Sequence, residues 1–213
     1  MDRQGIELLI FDMDGVVLDS EPLHENARQW MFRELAISPD DRLPDPVGKS
    51  SSGFWRRVLE VYHMEGDPYE LEKRQYSLVA RQIEENHLQP SDGFLDVVKR
   101  AKERGIRIGL ASSSTRVLVD DALRLLDVDR YFDITVSGDE VAHKKPEPDV
   151  YLKVLELAGG EPGRSAAVED SEAGVRAARR AGIFCYGYVN ETSGGQDVSG
   201  ADKVIRHLGE IEV

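Results

Sequence analysis

The sequence predicts an α/β fold: a parallel sheet covered by helices on both faces, interrupted by one all-helical insertion. Two patterns carry this. From about residue 94 onward, short apolar runs alternate regularly with segments of helical periodicity, as in parallel strands joined by crossover helices. The first apolar run, at 6–11, is cut off from the others by a stretch from 20 to about 88 with no convincing strand.

The elements follow in order. "IELLIF" (6–11) reads as a buried strand. "DSEPLHENARQWMFRELAI" reads as an amphipathic helix with Asp19 or Ser20 as N-cap and Pro22 in the first turn. Leu23, Ala27, Trp30, Met31 and Leu35 recur along it at helical spacing. "FWRRVLEVYHM" and "DPYELEKRQYSLVARQIEENHL" supply two more helices. In the first of these, Phe54, Trp55, Val58, Leu59 and Tyr62 are expected to form a small core. Past "QPSDG", "FLDVVKRAKERG" is a helix closed by Gly105, "IRIGLAS" a strand and "TRVLVDDALRLLDV" a helix. "DITVSG" is a strand, "DVYLKVLELAGG" a helix, "SAAVED" a strand, "SEAGVRAARRAG" a helix and "IFCYGYV" a strand, with "ADKVIR" a last short strand before a helical turn. The expected division is a Rossmann-like α/β core at 1–16 and 90–213 and a helical cap at 17–89.

Composition narrows the function. A net charge of −13 argues against nucleic acid or an anionic membrane as partner, because both require basic surface. No apolar stretch approaches the roughly 20 residues that span a bilayer, and the N-terminus lacks a basic region followed by a long apolar segment. The single cysteine, Cys185, reads as a buried apolar residue and suits a reducing compartment, so a cytoplasmic and, by default, monomeric protein is expected. Any anionic substrate needs local cations or a metal to overcome the general repulsion.

Ligands of doubly wound sheets bind at the carboxyl ends of the strands. Those ends deliver Asp12 and Asp14, Ser112, the segment up to Lys145, and Glu169 with Asp170. Two carboxylates flanking one methionine at a strand end repel each other unless a proton, a metal or a reaction uses them. Oxygen ligands without histidine or cysteine suit Mg²⁺, which binds through one or two carboxylates, water and substrate phosphate. Ser112 and the backbone N–H groups after it could hold a phosphate, although "SSST" reads equally as an N-cap run. A loop lysine is usually solvated; facing a phosphate, Lys145 would instead neutralise transition-state charge.

"DMDGV" (12–16), "LASSS" (110–114), "KP" (145–146) and "EDSEAG" (169–174) occur in this order over nearly the whole chain. Together they resemble the motifs of the haloacid dehalogenase-like phosphotransferase superfamily. The branch most resembled contains beta-phosphoglucomutases and small sugar-phosphate phosphatases, with a helical cap after the first motif. The resemblance implies that Asp12 is the nucleophile that forms an aspartyl-phosphate. Asp14 would be general acid, then base, and such an acid needs a raised pKa to work near neutrality. Ser112 and Lys145 would hold the transferring phosphoryl. Asp170 would bind Mg²⁺ with the Asp12 side chain and the Asp14 backbone carbonyl, supported by Glu169. The presence of Asp14 argues against dehalogenase chemistry, which in this superfamily needs neither that aspartate nor magnesium. A regulatory protein would have lost one of these residues; a response-regulator receiver would be shorter and lack the insertion.

The core residues do not separate a phosphatase from a mutase; that choice rests on the cap. His24, Ser113, Lys49 and Arg74 are the candidate substrate-side residues. His24 matches a histidine that mutases use to hold the acid/base aspartate in check, although some phosphatases share it. Ser51 stands where a mutase has a phosphate-gripping arginine, and Gln75 where it has a lysine. Losing charge-assisted contacts of about 1.5–3 kcal/mol each favours a phosphatase acting on small phosphorylated sugars or polyols. Lys49, Arg56, Arg57 and Arg74 are the cations that would restore the alternative, a beta-phosphoglucomutase.

Overall fold

A computed structural model describes residues 5–46 and 50–213. The strands are β1 (Leu8–Phe11), β2 (Arg107–Ala111), β3 (Ile134–Val136), β4 (Ser165–Glu169), β5 (Phe184–Tyr188) and β6 (Lys203–Ile205). The helices are α1 (Glu21–Glu34), α2 (Ser51–Val61), α3 (Pro68–Glu85), α4 (Phe94–Glu103), α5 (Arg116–Leu125), α6 (Asp149–Ala158) and α7 (Glu172–Arg180). The strands form one parallel sheet in the order β3-β2-β1-β4-β5-β6. The expected α/β architecture is therefore the observed one, with α1, α2 and α3 filling the stretch between β1 and α4.

The period of two along β1 explains why both faces are covered. Leu9 and Phe11 enter one apolar layer with Phe94, Val97 and Val98 of α4 and Leu118 and Val119 of α5. Leu8 and Ile10 enter the other, with Val150, Tyr151 and Val154 of α6 and Val175 and Ala177 of α7. Cys185 lies fully buried in this second layer.

Between α1 and α2, Met31, Phe32, Phe54, Trp55 and Val58 form a separate small core. The inserted helices are not sealed off from the main one: Leu23 and Ala27 of α1 and Tyr76, Val79 and Ile83 of α3 join the layer that covers the sheet. Trp30, which fits the helical period of α1, is instead 39% exposed, with the Arg74 guanidinium 5.1 Å from its ring centroid. None of the described helices is long and apolar enough to cross a membrane.

The sheet order has one consequence for function. β1 lies between β2 and β4, with Phe11 level with Leu110 on one side and Val168 on the other. The residues at the ends of these strands, Asp12, Ser112 and Glu169–Asp170, therefore emerge side by side although 100 residues separate Asp12 from Ser112 and 57 separate Ser112 from Glu169.

Phe94 has no exposed surface and meets Phe11 edge-on at 5.1 Å and Phe132 in a stack at 6.0 Å. Phe94→Ala is expected to cost about 3–5 kcal/mol in urea denaturation, through lost burial and the cavity left behind. Trp30→Ala, removing a half-wet ring and one cation–π contact, should cost no more than about 1 kcal/mol.

Candidate active site

The site is built around Asp12. Its backbone N–H continues the β1–β4 ladder by donating to Val168 O at 3.0 Å, which fixes the carboxylate at the strand end. Lys145, from the loop between β3 and α6, is buried, contrary to the usual fate of a loop lysine. Its ammonium donates to Asp12 Oδ1 at 2.7 Å and to the Ala111 carbonyl at 2.8 Å, and pairs with Glu169 Oε1 at 2.6 Å. Glu169 is fully buried and also accepts a short hydrogen bond from Tyr151 Oη. Asp170 accepts one from Ser193 Oγ.

Lys145 thus pairs with two of three clustered carboxylates. Burial pushes the Asp12 carboxyl well above its ordinary value, and the Glu169 charge adds to this more than Lys145 takes away. Burial likewise raises Asp170 to about 7, against the hydrogen bond from Ser193. Burial works against the Lys145 charge, but Asp12 and Glu169 outweigh it and raise the ammonium above its ordinary range. One oxygen each from Asp12, Glu169 and Asp170 lie within 4.8 Å of one another. An all-oxygen, net-negative donor set of this kind fits a hard divalent cation such as Mg²⁺.

Two glycines make this crowding possible. Gly15 adopts φ +78°, and a Cβ on it would lie 1.8 Å from Asp170 Oδ2. A Cβ on Gly174 would lie 1.7 Å from Glu169 Oε2. The carboxylates occupy the space that any side chain at those positions would take.

Asp14 has different surroundings. Ser20 Oγ and Ser114 Oγ each donate to its carboxylate at 2.7 Å, and His24 Nε2 lies 3.5 Å away. Burial alone would raise this carboxyl, but the bonds from His24, Ser20 and Ser114 outweigh it and hold Asp14 below its ordinary value. The raised pKa expected of a general acid is therefore not found: three donors converge on this carboxylate. Ser20 holds the N-cap position of α1 but spends its hydroxyl on Asp14 rather than on the helix.

His24 is itself held from behind. Trp55 Nε1 donates to Gln75 Oε1 at 2.6 Å, and Gln75 Nε2 faces His24 Nδ1 at 2.9 Å. The indole can only donate, so the Gln75 oxygen must face it and its NH₂ must face the histidine. His24 Nδ1 is then an acceptor, and the proton of the neutral ring sits on Nε2, toward Asp14.

A cavity of about 160 Å³ opens over Asp12, Asp14, Lys145 and Asp170. It is smaller than the roughly 300–1,000 Å³ of drug-sized sites, and so suits a small metabolite. Its far wall is formed by Glu21, His24 and Arg28 of α1, Ser50 and Ser51, and Tyr76 of α3. Ser113 and Ser114 line it, whereas Ser112 is fully buried beneath and accepts the Ser114 N–H at 3.0 Å. Arg74 does not line it: the side chain is exposed, donates to both carboxylate oxygens of Glu34 and covers Trp30. Arg57 pairs with Glu60 on an exposed face. Lys49 lies outside the described residues.

Sequence reasoning did not find Ser114, Tyr151, Ser193 or Arg28. Ser193 sits in "NETSGGQDVSG", which reads only as a polar loop, yet this loop also donates Asn190 Nδ2 to the Gly15 carbonyl at 2.9 Å.

Comparison with known proteins agrees with this geometry. A family model for haloacid dehalogenase-like hydrolases matches residues 6–182. A phosphorylated carbohydrates phosphatase of Thermotoga maritima is 33% identical over 204 residues, covering 90% of this chain and 89% of that protein. The fructose-1-phosphate phosphatase YqaB of Escherichia coli is 31% identical over 179 residues, covering 82% and 92%. Among solved structures, CbbY from Rhodobacter sphaeroides in complex with phosphate superposes with a TM-score of 0.83 at 25% identity, covering 96% of each chain. The strand order, the carboxylates gathered at the ends of β1 and β4, and these matches together identify the chain as a member of the haloacid dehalogenase-like hydrolases.

Proposed function

We propose that this hydrolase is a magnesium-dependent phosphatase of small phosphorylated sugars or polyols, working through an aspartyl-phosphate on Asp12. The observation that carries the reading is the buried Lys145 ammonium held between Asp12 and Glu169 in the lining of a small cavity. It keeps a cation beside the nucleophile, where a phosphate must approach despite the overall negative charge.

In this scheme an Asp12 carboxylate oxygen attacks phosphorus, and the bond from phosphorus to the substrate oxygen breaks. Asp14 gives that leaving oxygen its proton. It then takes a proton from the water that attacks the aspartyl-phosphate, releasing phosphate and restoring Asp12. The three donors on Asp14 favour its carboxylate, the form required for the second half; protonation for the first half requires some of them to let go. Ser113 and Lys145, which line the cavity, position and neutralise the phosphoryl group, and Ser112 supports the loop from beneath through the Ser114 N–H. Asp12, Asp170 and the Asp14 backbone carbonyl, with Glu169 in support, would hold Mg²⁺, which when bound stabilises the charge developing on the phosphoryl oxygens.

Gln75 favours hydrolysis over transfer. A mutase must grip the distal phosphate of a bisphosphate, and the residue at the position of its lysine is here a neutral amide engaged at both ends, by Trp55 and His24. The names of the relatives, phosphatases for phosphorylated carbohydrates and fructose 1-phosphate, support the same choice.

The deciding experiment measures phosphate release from a panel of sugar phosphates with Mg²⁺, beside an Asp12→Asn control. Steady release that the control lacks is expected. Fast conversion of beta-glucose 1-phosphate to glucose 6-phosphate with little release would establish the mutase instead. Thermal melts test the metal site separately. Mg²⁺ should raise the Tm of the native chain, whereas Asp170→Asn should melt higher than the native chain without metal, by about 2–4 °C per kcal/mol of repulsion relieved, and respond little to Mg²⁺. Gln75→Leu would leave the Trp55 and His24 nitrogens unpaired, at about 1–3 kcal/mol each, and is expected to lower kcat more than it raises KM.

A further inference from the structure

Arg28 is a buried arginine with no part in the scheme above. It is 5% exposed and lines the active cavity one helical turn, about 5.4 Å, beyond His24. One edge of its guanidinium is occupied. A terminal nitrogen donates to Glu21 Oε1 at 2.5 Å and to Glu25 Oε2 at 2.9 Å, and Nε donates to Glu25 Oε2 at 3.2 Å. Its plane lies 6.0 Å from the Phe54 ring centroid. The other terminal nitrogen has no hydrogen-bond partner among the described residues and is not one of the sealed, unpartnered atoms of the interior, on a residue that lines the cavity.

The charges here are informative. Among the described residues, one guanidinium faces two carboxylates, Glu21 and Glu25, which leaves this group with an excess negative charge. A second phosphate would meet that excess. A hydroxyl or carbonyl oxygen would meet a free N–H donor on Arg28, and a hydroxyl proton would meet a carboxylate oxygen of Glu21, which also lines the cavity.

We propose that Arg28 and Glu21 form the subsite that reads the uncharged, hydroxyl-bearing end of the substrate, so that the preferred substrates are monophosphates of neutral polyols or sugars and bisphosphates are rejected. This rests on the phosphatase reading and deepens it. The positive end of the site is at Lys145, and the Arg28 end is set for donor and acceptor recognition without net positive charge. Fixing the arginine on two carboxylates and a ring keeps its free edge aimed at the ligand.

The test uses the full chain with Mg²⁺ and three probes: fructose 1-phosphate, fructose 1,6-bisphosphate and phenyl phosphate, which has a ring but no hydroxyls. Arg28→Met and the milder Arg28→Lys should lower kcat/KM for fructose 1-phosphate tenfold to a hundredfold more than for phenyl phosphate, mainly through KM. Glu21→Gln, which removes one of the two carboxylates while keeping the shape, should raise the ratio of bisphosphate to monophosphate turnover at least fivefold. Equal losses on both monoesters in the Arg28 variants, or a bisphosphate ratio unmoved by Glu21→Gln, would overturn the proposal. Calorimetric binding of fructose 1-phosphate to Asp12→Asn separates the two readings. Binding that depends on Arg28 in a chain whose native form releases no phosphate would sink the hydrolase reading and keep the subsite; binding indifferent to Arg28 would sink the subsite.

Discussion

The contact on which the rest of the site depends is the Lys145 ammonium between Asp12 and Glu169. Burying a carboxylate costs several kcal/mol unless it is paired, and burying three with oxygens within 4.8 Å of one another multiplies the penalty. One lysine reduces that penalty without cancelling it. The upward displacement of Asp12 and Asp170 records what remains. The fold bears this strain because the parts are rigid: Asp12 is the continuation of a central strand, Glu169 is locked by Tyr151 from α6, and the two glycines leave no side chain to compete for the space.

Asp12 and Asp14, two residues apart, have been given opposite environments. The first lies among carboxylates and is pushed up; the second lies among hydroxyls and an imidazole and is held down. In the proposed scheme this separation divides roles between chemically identical groups, and it is accomplished by partners from different parts of the chain. Ser20 comes from the start of α1, Ser114 from the loop after β2, and His24 from within α1. In the proposed scheme the helical insertion is therefore part of the acid–base machinery as well as a wall of the cavity.

Much of this could be read in the sequence. The alternation of apolar runs with helical segments gave all six strands and seven helices, because period two and period 3.6 are set by local geometry. The strand-end carboxylates and Lys145 were found because strand ends have a known functional meaning in such sheets. What escaped was pairing across distance. Nothing near Gln75 indicates that its amide joins Trp55 to His24, 51 residues away. Arg28 shares its helix face with Glu21 and Glu25, a pattern that usually marks a solvated surface, and only the fold turns that face inward. Trp30 erred in the other direction: its spacing suits the core, but the helix rotates it toward Arg74 and water.

The continuity of the apolar layer beneath α1 and α3 has a mechanical meaning. Leu23, Tyr76, Val79 and Ile83 rest on the same layer as the helices that cover the sheet. A displacement of α1 and α3 large enough to admit a substrate must wet part of that seam, at about 2.5 kcal/mol per 100 Å² of apolar surface. In such a displacement the seam would act as a return spring, opposing the separation and drawing Ser20 and His24 back onto Asp14.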